Sequence, residues 1–141
     1  MRRPARGFTL LEVMIVVFIL GLLATIIVPR LAGRTDEARR VKVIADLKSI
    51  AQALDLYRLD AGMYPTTEQG LKALVARPTA PPPPARWNVN GYLDRVPVDP
   101  WGRTYVYFRS DDGRYQLKSL GADGVEGGDG VLADIDSHAD S

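Results

Sequence analysis

Residues 6–28 read RGFTLLEVMIVVFILGLLATIIV, and this stretch decides how the rest of the chain is understood. From Phe8 to Val28 it is apolar apart from Thr9, Glu12 and Thr25. A helix over those positions, rising about 1.5 Å per residue, is roughly 30 Å long, which matches the hydrocarbon thickness of a bilayer. A cleaved signal peptide has a shorter apolar region and a core helix shows a polar stripe, so composition leaves a membrane-spanning helix. Arg2, Arg3 and Arg6 precede it and keep the N-terminus in the cytoplasm, which sends the remainder outward, in a bacterium to the periplasm.

Glu12 separates this stretch from a plain anchor. An ionisable group inside a span costs about 2.5–3.5 kcal/mol at the bilayer centre, and less toward its edge, so it is expected to have a partner. No Lys or Arg lies between Phe8 and Val28. A cationic partner therefore comes from another chain or from a newly made N-terminal amine. Cleavage between Gly7 and Phe8 would create that amine four residues from Glu12 and remove the three arginines. The residues alone also allow a carboxyl that is protonated or that snorkels to the interface.

Beyond the apolar run, Pro29 and Gly33 predict a kink or a short unwound stretch, with Thr35 or Asp36 capping a new helical start. Val43, Ile44, Leu47, Ile50, Ala51, Leu54 and Tyr57 recur at helical spacing, opposite a charged face, so this amphipathic helix packs on something and ends near Ala61 at Gly62. A short, threonine-capped helix is expected from Glu68 to Ala76, and extended polyproline II from Pro81 to Pro84. Asp99-Pro100-Trp101-Gly102 reads as a turn. Thr104 to Phe108 and Tyr115 to Leu120 read as two strands joined at Asp112-Gly113, a hairpin packed on the amphipathic helix. Trp87, Trp101 and the tyrosines read as core and rim packing in preference to a sugar platform.

The 141 residues allow one small domain with an appendage, but not two separate cores. A net charge of +1 with scattered arginines gives no basic patch for nucleic acid, so none is expected as a partner. The chain has no cysteine, which excludes disulfides and thiolate metal sites, and its single histidine, His138, reads as a solvated tail residue. No nucleotide loop, nucleophile–base pair or cofactor motif points to catalysis. After Lys118 there is no Lys or Arg, while Asp123, Glu126, Asp129, Asp134, Asp136 and Asp140 follow among flexible glycines. Such oxygen-rich sequence suits calcium, although it is neither an EF-hand nor a repeat-type calcium turn, and the residues leave a plain solvated acidic tail open.

The order Arg6-Gly7-Phe8-Thr9-Leu10-Leu11-Glu12 resembles the processing signal of type IV pilins and pseudopilins, a basic leader ending in Gly, then Phe, then Glu four residues on. Pro29 also matches the proline that ends the family's first apolar segment. Tyr64-Pro65-Thr66-Thr67-Glu68-Gln69-Gly70-Leu71, Asp99-Pro100-Trp101-Gly102 and Ser119-Leu120-Gly121-Ala122-Asp123-Gly124 narrow the resemblance to the major pseudopilin family of type II secretion, over nearly the whole chain. The implied fold is α+β and type IV pilin-like: a long N-terminal helical spine, transmembrane and then amphipathic, packed on a small antiparallel sheet with a C-terminal calcium loop. Its divisions are a cleaved leader 1–7, a spanning helix 8–28, its amphipathic continuation 29–61, and a periplasmic region 62–141 with the calcium loop at 119–135.

The resemblance implies a structural subunit, not an enzyme, that polymerises into a helical periplasmic filament driving folded proteins across the outer membrane. It implies that a prepilin peptidase cuts after Gly7 and methylates Phe8, and that Glu12 pairs with the N-terminus of a neighbouring subunit. Other implied partners are minor pseudopilins, the inner-membrane assembly platform and, before assembly, the membrane. Calcium ligands carried over by position are Asp123 with the carbonyls of Leu120 and Val125, together with Asp129 and Asp134. Two rival readings are a major type IV pilin of an adhesion or motility pilus, which commonly closes with a disulfide, and a membrane-anchored periplasmic enzyme or binding module. The chain departs from the family after Ile135, where Asp136-Ser137-His138 replaces the usual Gly-Asn-Trp.

Overall fold

Helix α1 runs from Leu10 to Ala61, 52 residues without a break, in a computed structural model that describes residues 7–137 and, within them, all side chains except those of 25–34 and Val131. The leader arginines and His138 lie outside the described residues. The expected unwound stretch at Pro29 and Gly33, with a fresh start at Thr35 or Asp36, is not found. A proline removes one helical donor and crowds the turn before it, but the flanking residues keep their own bonds, so a long helix can carry it. Gly62 ends α1 as expected, with φ +83° and its N–H donating to the Arg58 carbonyl at 2.8 Å.

The chain falls into two compact units, one up to Glu37 and one from Ala38 onward. In the first, every described side chain from Gly7 to Ala24 is exposed, including Phe8 at 83% and Phe18 at 74%. Among the described residues no helix is long and apolar enough to cross a membrane. The expected span continues through Thr25 to Val28, whose side chains lie outside the description.

The second unit buries one face of α1. Val43, Leu47, Ile50, Ala53, Leu54, Tyr57 and Ala61 pack with Leu71, Ala73, Leu74, Tyr105, Leu117 and Ile135. Ile44 and Ala51, expected on this stripe, stand at its edge, and Ala53 takes the inner position. Strands β1 (Val106–Arg109) and β2 (Tyr115–Ser119) form the expected antiparallel hairpin, in register Val106↔Lys118 through Arg109↔Tyr115. Gly113, φ +83°, donates to the Ser110 carbonyl in the connecting turn. A third strand, β3 (Ile135–Asp136), adds to β2 with Ser119↔Ile135, and Ser137 N–H donates to the Leu117 carbonyl at 3.0 Å. The tail that departs from the family pattern is thus sheet edge as far as the description runs.

The helix expected at Glu68–Ala76 is instead a turn followed by a 3-10 helix, Leu71–Leu74, because Gly70 adopts φ +58°. The threonine closes that turn and does not cap the helix, whose N-cap is Gly70 without a side-chain bond: Thr66 Oγ1 accepts from Gln69 N–H at 3.1 Å while Gln69 Oε1 accepts from Thr66 N–H at 3.0 Å. Gln69 Nε2 also donates to the carbonyls of Ala80 and Pro82, 2.8 and 2.9 Å away. The proline run is not uniform polyproline II, since its Pro81–Pro82 bond is cis.

Aromatic hydroxyls tie loops and sheet to α1. Tyr105 donates to Asp46 Oδ2 at 2.7 Å, Tyr92 to Asp60 Oδ2 at 2.9 Å, and Tyr64 to Asp55 Oδ1 at 2.8 Å. Burial, then the Asp46 carboxylate, pushes the Tyr105 phenol far up, and burial lifts Tyr115 to about 12, so both stay protonated at neutral pH. Trp87 Nε1 donates to the Ala73 carbonyl at 3.0 Å, and its ring meets Tyr92 edge-on, so this aromatic group packs against the core.

Candidate functional site

Two places in the fold gather the residues singled out by sequence. The first is the start of α1. Thr9 is its N-cap: Thr9 Oγ1 accepts from Glu12 N–H at 3.2 Å, and the Thr9 carbonyl accepts from Val13 N–H at 3.2 Å. Glu12 therefore occupies the first turn, where the positive end of the helix dipole favours a carboxylate. Gly7, Phe8, Thr9 and Glu12 line one open recess of about 440 Å³, so the peptide bond expected to be cut and the carboxylate expected to pair share one place. Thr9 was not singled out by sequence, yet Thr-x-x-Glu before an apolar run is a capping-box spacing that marks it.

The second place is the loop between β2 and β3. Its two limbs pack so closely at Gly121, φ +62°, that a Cβ there would lie 2.6 Å from the Leu132 carbonyl oxygen. Only glycine accepts both the dihedral and the approach. The Leu120 carbonyl accepts from Gly124 N–H and Asp123 Oδ1 accepts from Val125 N–H, each at 3.1 Å. Asp123, Val125 and Asp129 are exposed, with Asp129 opening the 3-10 turn Gly130–Leu132. Asp134, half-buried, holds Lys118 Nζ at 3.2 Å through Oδ2, while its Oδ1 is buried and has no hydrogen-bond partner. Glu126 meets the same ammonium. These two carboxylates, Glu126 foremost, push the Lys118 pKa up against the opposing effect of burial.

Three residues that sequence reasoning did not assign to the site help to build this loop. Asp99 is 4% exposed, and its Oδ1 accepts from the N–H groups of Trp101 at 3.0 Å and Arg103 at 2.7 Å. Arg103, 5.8 Å above the Trp101 ring and 3.5 Å from Asp99 Oδ2, donates from Nη2 to the Gly121 carbonyl. Lys118 is the third. An Asp two and four residues ahead of free N–H groups is a turn signal visible in sequence. Lys118 had only its position as the last cation before the acidic run.

Among the described residues, no three acidic or histidine side chains gather as a metal cluster. A hard cation would therefore draw on main-chain carbonyls as well as carboxylates. Asp123, the carbonyls of Leu120 and Val125, and the orphaned Asp134 Oδ1 have the required chemistry, all oxygen and partly anionic.

The family model described as type II secretion system (T2SS), protein G, matches residues 30–138, and that of a prokaryotic N-terminal methylation motif matches residues 2–28. The type II secretion system core protein G of Pseudomonas aeruginosa is 52% identical over 135 residues, which cover 95% of each chain. That of Vibrio cholerae is 50% identical over 134 residues, 94% of this chain and 91% of the other. The crystal structure of the major pseudopilin from the type 2 secretion system of enterohaemorrhagic Escherichia coli superposes with a TM-score of 0.65 at 43% identity, covering 77% of this chain and 93% of that one.

Proposed function

The chain belongs to the type II secretion system protein G family, and we propose that it serves as the major subunit of the pseudopilus through a processed N-terminus and a cation-stapled loop. It has the pilin-like fold, an N-terminal helix with a small three-stranded antiparallel sheet, and is a structural subunit of the type II secretion pseudopilus, assembling into a filament with other components of that system.

The observation that carries the reading is the exposed apolar surface from Phe8 to Leu23, broken by the one carboxylate at Glu12. Side chains such as Leu10, 80% exposed, and Phe18 need an apolar cover, and within the first unit they have none. The inner membrane covers them before assembly, and the helices of neighbouring subunits cover them in the periplasmic filament. Cleavage after Gly7 by a prepilin peptidase removes the arginines that hold the N-terminus in the cytoplasm and leaves Phe8 with a new amine, which is then methylated. Thr9 keeps the first turn wound by accepting from the Glu12 N–H, leaving the Glu12 carboxylate to the amine of an adjacent subunit. Mechanical rather than catalytic work follows: minor pseudopilins and the inner-membrane assembly platform help the growing rod push folded proteins outward. The mass of the N-terminus in cells tests this, and it should begin at methylated Phe8; a mature protein that starts at Met1 overturns it.

For the loop between β2 and β3 we infer a calcium site on Asp123, Asp134 and the carbonyls of Leu120 and Val125, with Asp129 within the same acidic stretch. When bound, calcium supplies a hard positive centre that ties the 120–125 limb to Asp134 in a domain without disulfides. Chelation should lower the melting temperature of the full chain in detergent, and equal melting with calcium and with chelator would remove the site.

A further inference from the structure

We propose that Lys118 is a built-in counter-ion of the 120–134 loop, holding Asp134 when no divalent cation is bound and competing with that cation for the same carboxylate. The inference rests on the calcium reading above and adds a residue that opposes it.

Leu117 and Ser119 point from β2 into the core, and Lys118 between them points the other way. A lysine on an outer strand face ordinarily reaches into water. Here the side chain is only 17% exposed, because it folds along the sheet until its ammonium meets both Glu126 and Asp134. Those residues lie eight and sixteen positions downstream, so the side chain bridges the near and far parts of the loop. No Lys or Arg follows Lys118 in the sequence, whereas six acidic residues do.

Among the described residues two upstream cations reach the loop, and they do different things. Arg103 is matched to Asp99 and donates to a main-chain carbonyl, that of Gly121, so it braces the backbone. Lys118 is the one that engages loop carboxylates. Its hold on Asp134 is incomplete: Oδ2 is 3.2 Å from Nζ, while Oδ1 is buried and unpartnered. A divalent cation bound through Asp134 would stand beside the ammonium, and like charges at such range repel strongly in a half-buried setting. Binding then requires Lys118 to swing off Asp134. The loop gains order at low calcium and gives up affinity for it.

The test uses the full chain in detergent, with calcium titrated calorimetrically and melting followed in chelator and in saturating calcium. Lys118→Met keeps the stem and removes the charge. It should bind calcium about tenfold more tightly than the parent chain, melt below it in chelator, and melt with it in saturating calcium. Lys118→Arg keeps the charge, and its affinity should stay within about twofold of the parent. If Lys118→Met fails to fold, Lys118→Gln carries the same comparison. Unchanged or weaker calcium binding by the neutral variant overturns the competition and leaves the calcium site intact. Absence of binding by every chain, parent included, overturns the calcium reading and the competition together.

Discussion

Replacing Glu12 with alanine should leave the protein in the membrane and abolish its incorporation into filaments. The substitution removes the one charge of the span, so insertion becomes easier, by up to roughly 2.5–3.5 kcal/mol and less near the edge where this residue sits. Assembly loses the carboxylate that an incoming amine would meet, and a rod of otherwise uniform apolar helices has no other charge in this segment to fix the stagger of one subunit against the next. Two companion variants separate the parts Glu12 plays. Glu12→Gln keeps the shape and the Thr9 bond to the residue 12 N–H but not the charge, and should assemble as poorly as alanine. Thr9→Ala loses the cap, about 1 kcal/mol of helix stability, and should retain most assembly. Membrane fractionation, with shearing or cross-linking of filaments, reads the outcome. Normal filaments from Glu12→Ala would remove the pairing from the account.

The second large effect belongs to Asp99→Ala, which should cost about 3 kcal/mol and lower the melting temperature on the order of 15 °C. The carboxylate is nearly fully buried, accepts from two main-chain N–H groups, lies 3.4 Å from the Ser119 hydroxyl and faces Arg103. Alanine strands those donors and leaves the guanidinium half-buried without its partner. Because Arg103 braces the Gly121 carbonyl, the damage should reach the acidic loop as well as the turn, and proteolysis within 120–134 should accelerate. Asp99→Asn preserves the turn acceptor and loses only the charge, so it should fall between the two. Denaturant unfolding provides the measurement; parent-like stability of Asp99→Ala would mean that the turn holds itself.

What could be read from sequence was what depends on near neighbours. The Gly62 stop, the stripe beginning at Val43, the Asp-Pro-Trp-Gly turn and the hairpin at Asp112-Gly113 are each written within a few residues, and each is found. Strand β3 was invisible because two residues carry no periodicity; it exists because the loop returns Ile135 beside Ser119. The expected helix near Leu71 became a 3-10 turn because one glycine took a positive φ, a choice made by the packing around it. Pro29 was read as a kink or a short unwound stretch, since the local rule is strong, yet the helix runs through it without unwinding. In the acidic loop, sequence named the carboxylates but not Lys118 or Arg103, whose partners lie eight to eighteen positions away and meet them only once the sheet is in register.

Among the described residues the core of the second unit begins at Val43, and none from Gly7 to Ala24 belongs to it. Heritable change can therefore act on the two halves under separate rules. Swapping one bulky aliphatic for another along Leu10 to Leu23 changes no residue of the second unit's core, and remodelling the loops of the second unit changes none of those exposed aliphatics. Such division of labour lets one lineage adjust a secretion apparatus to a new envelope or a new ionic milieu by editing one half at a time.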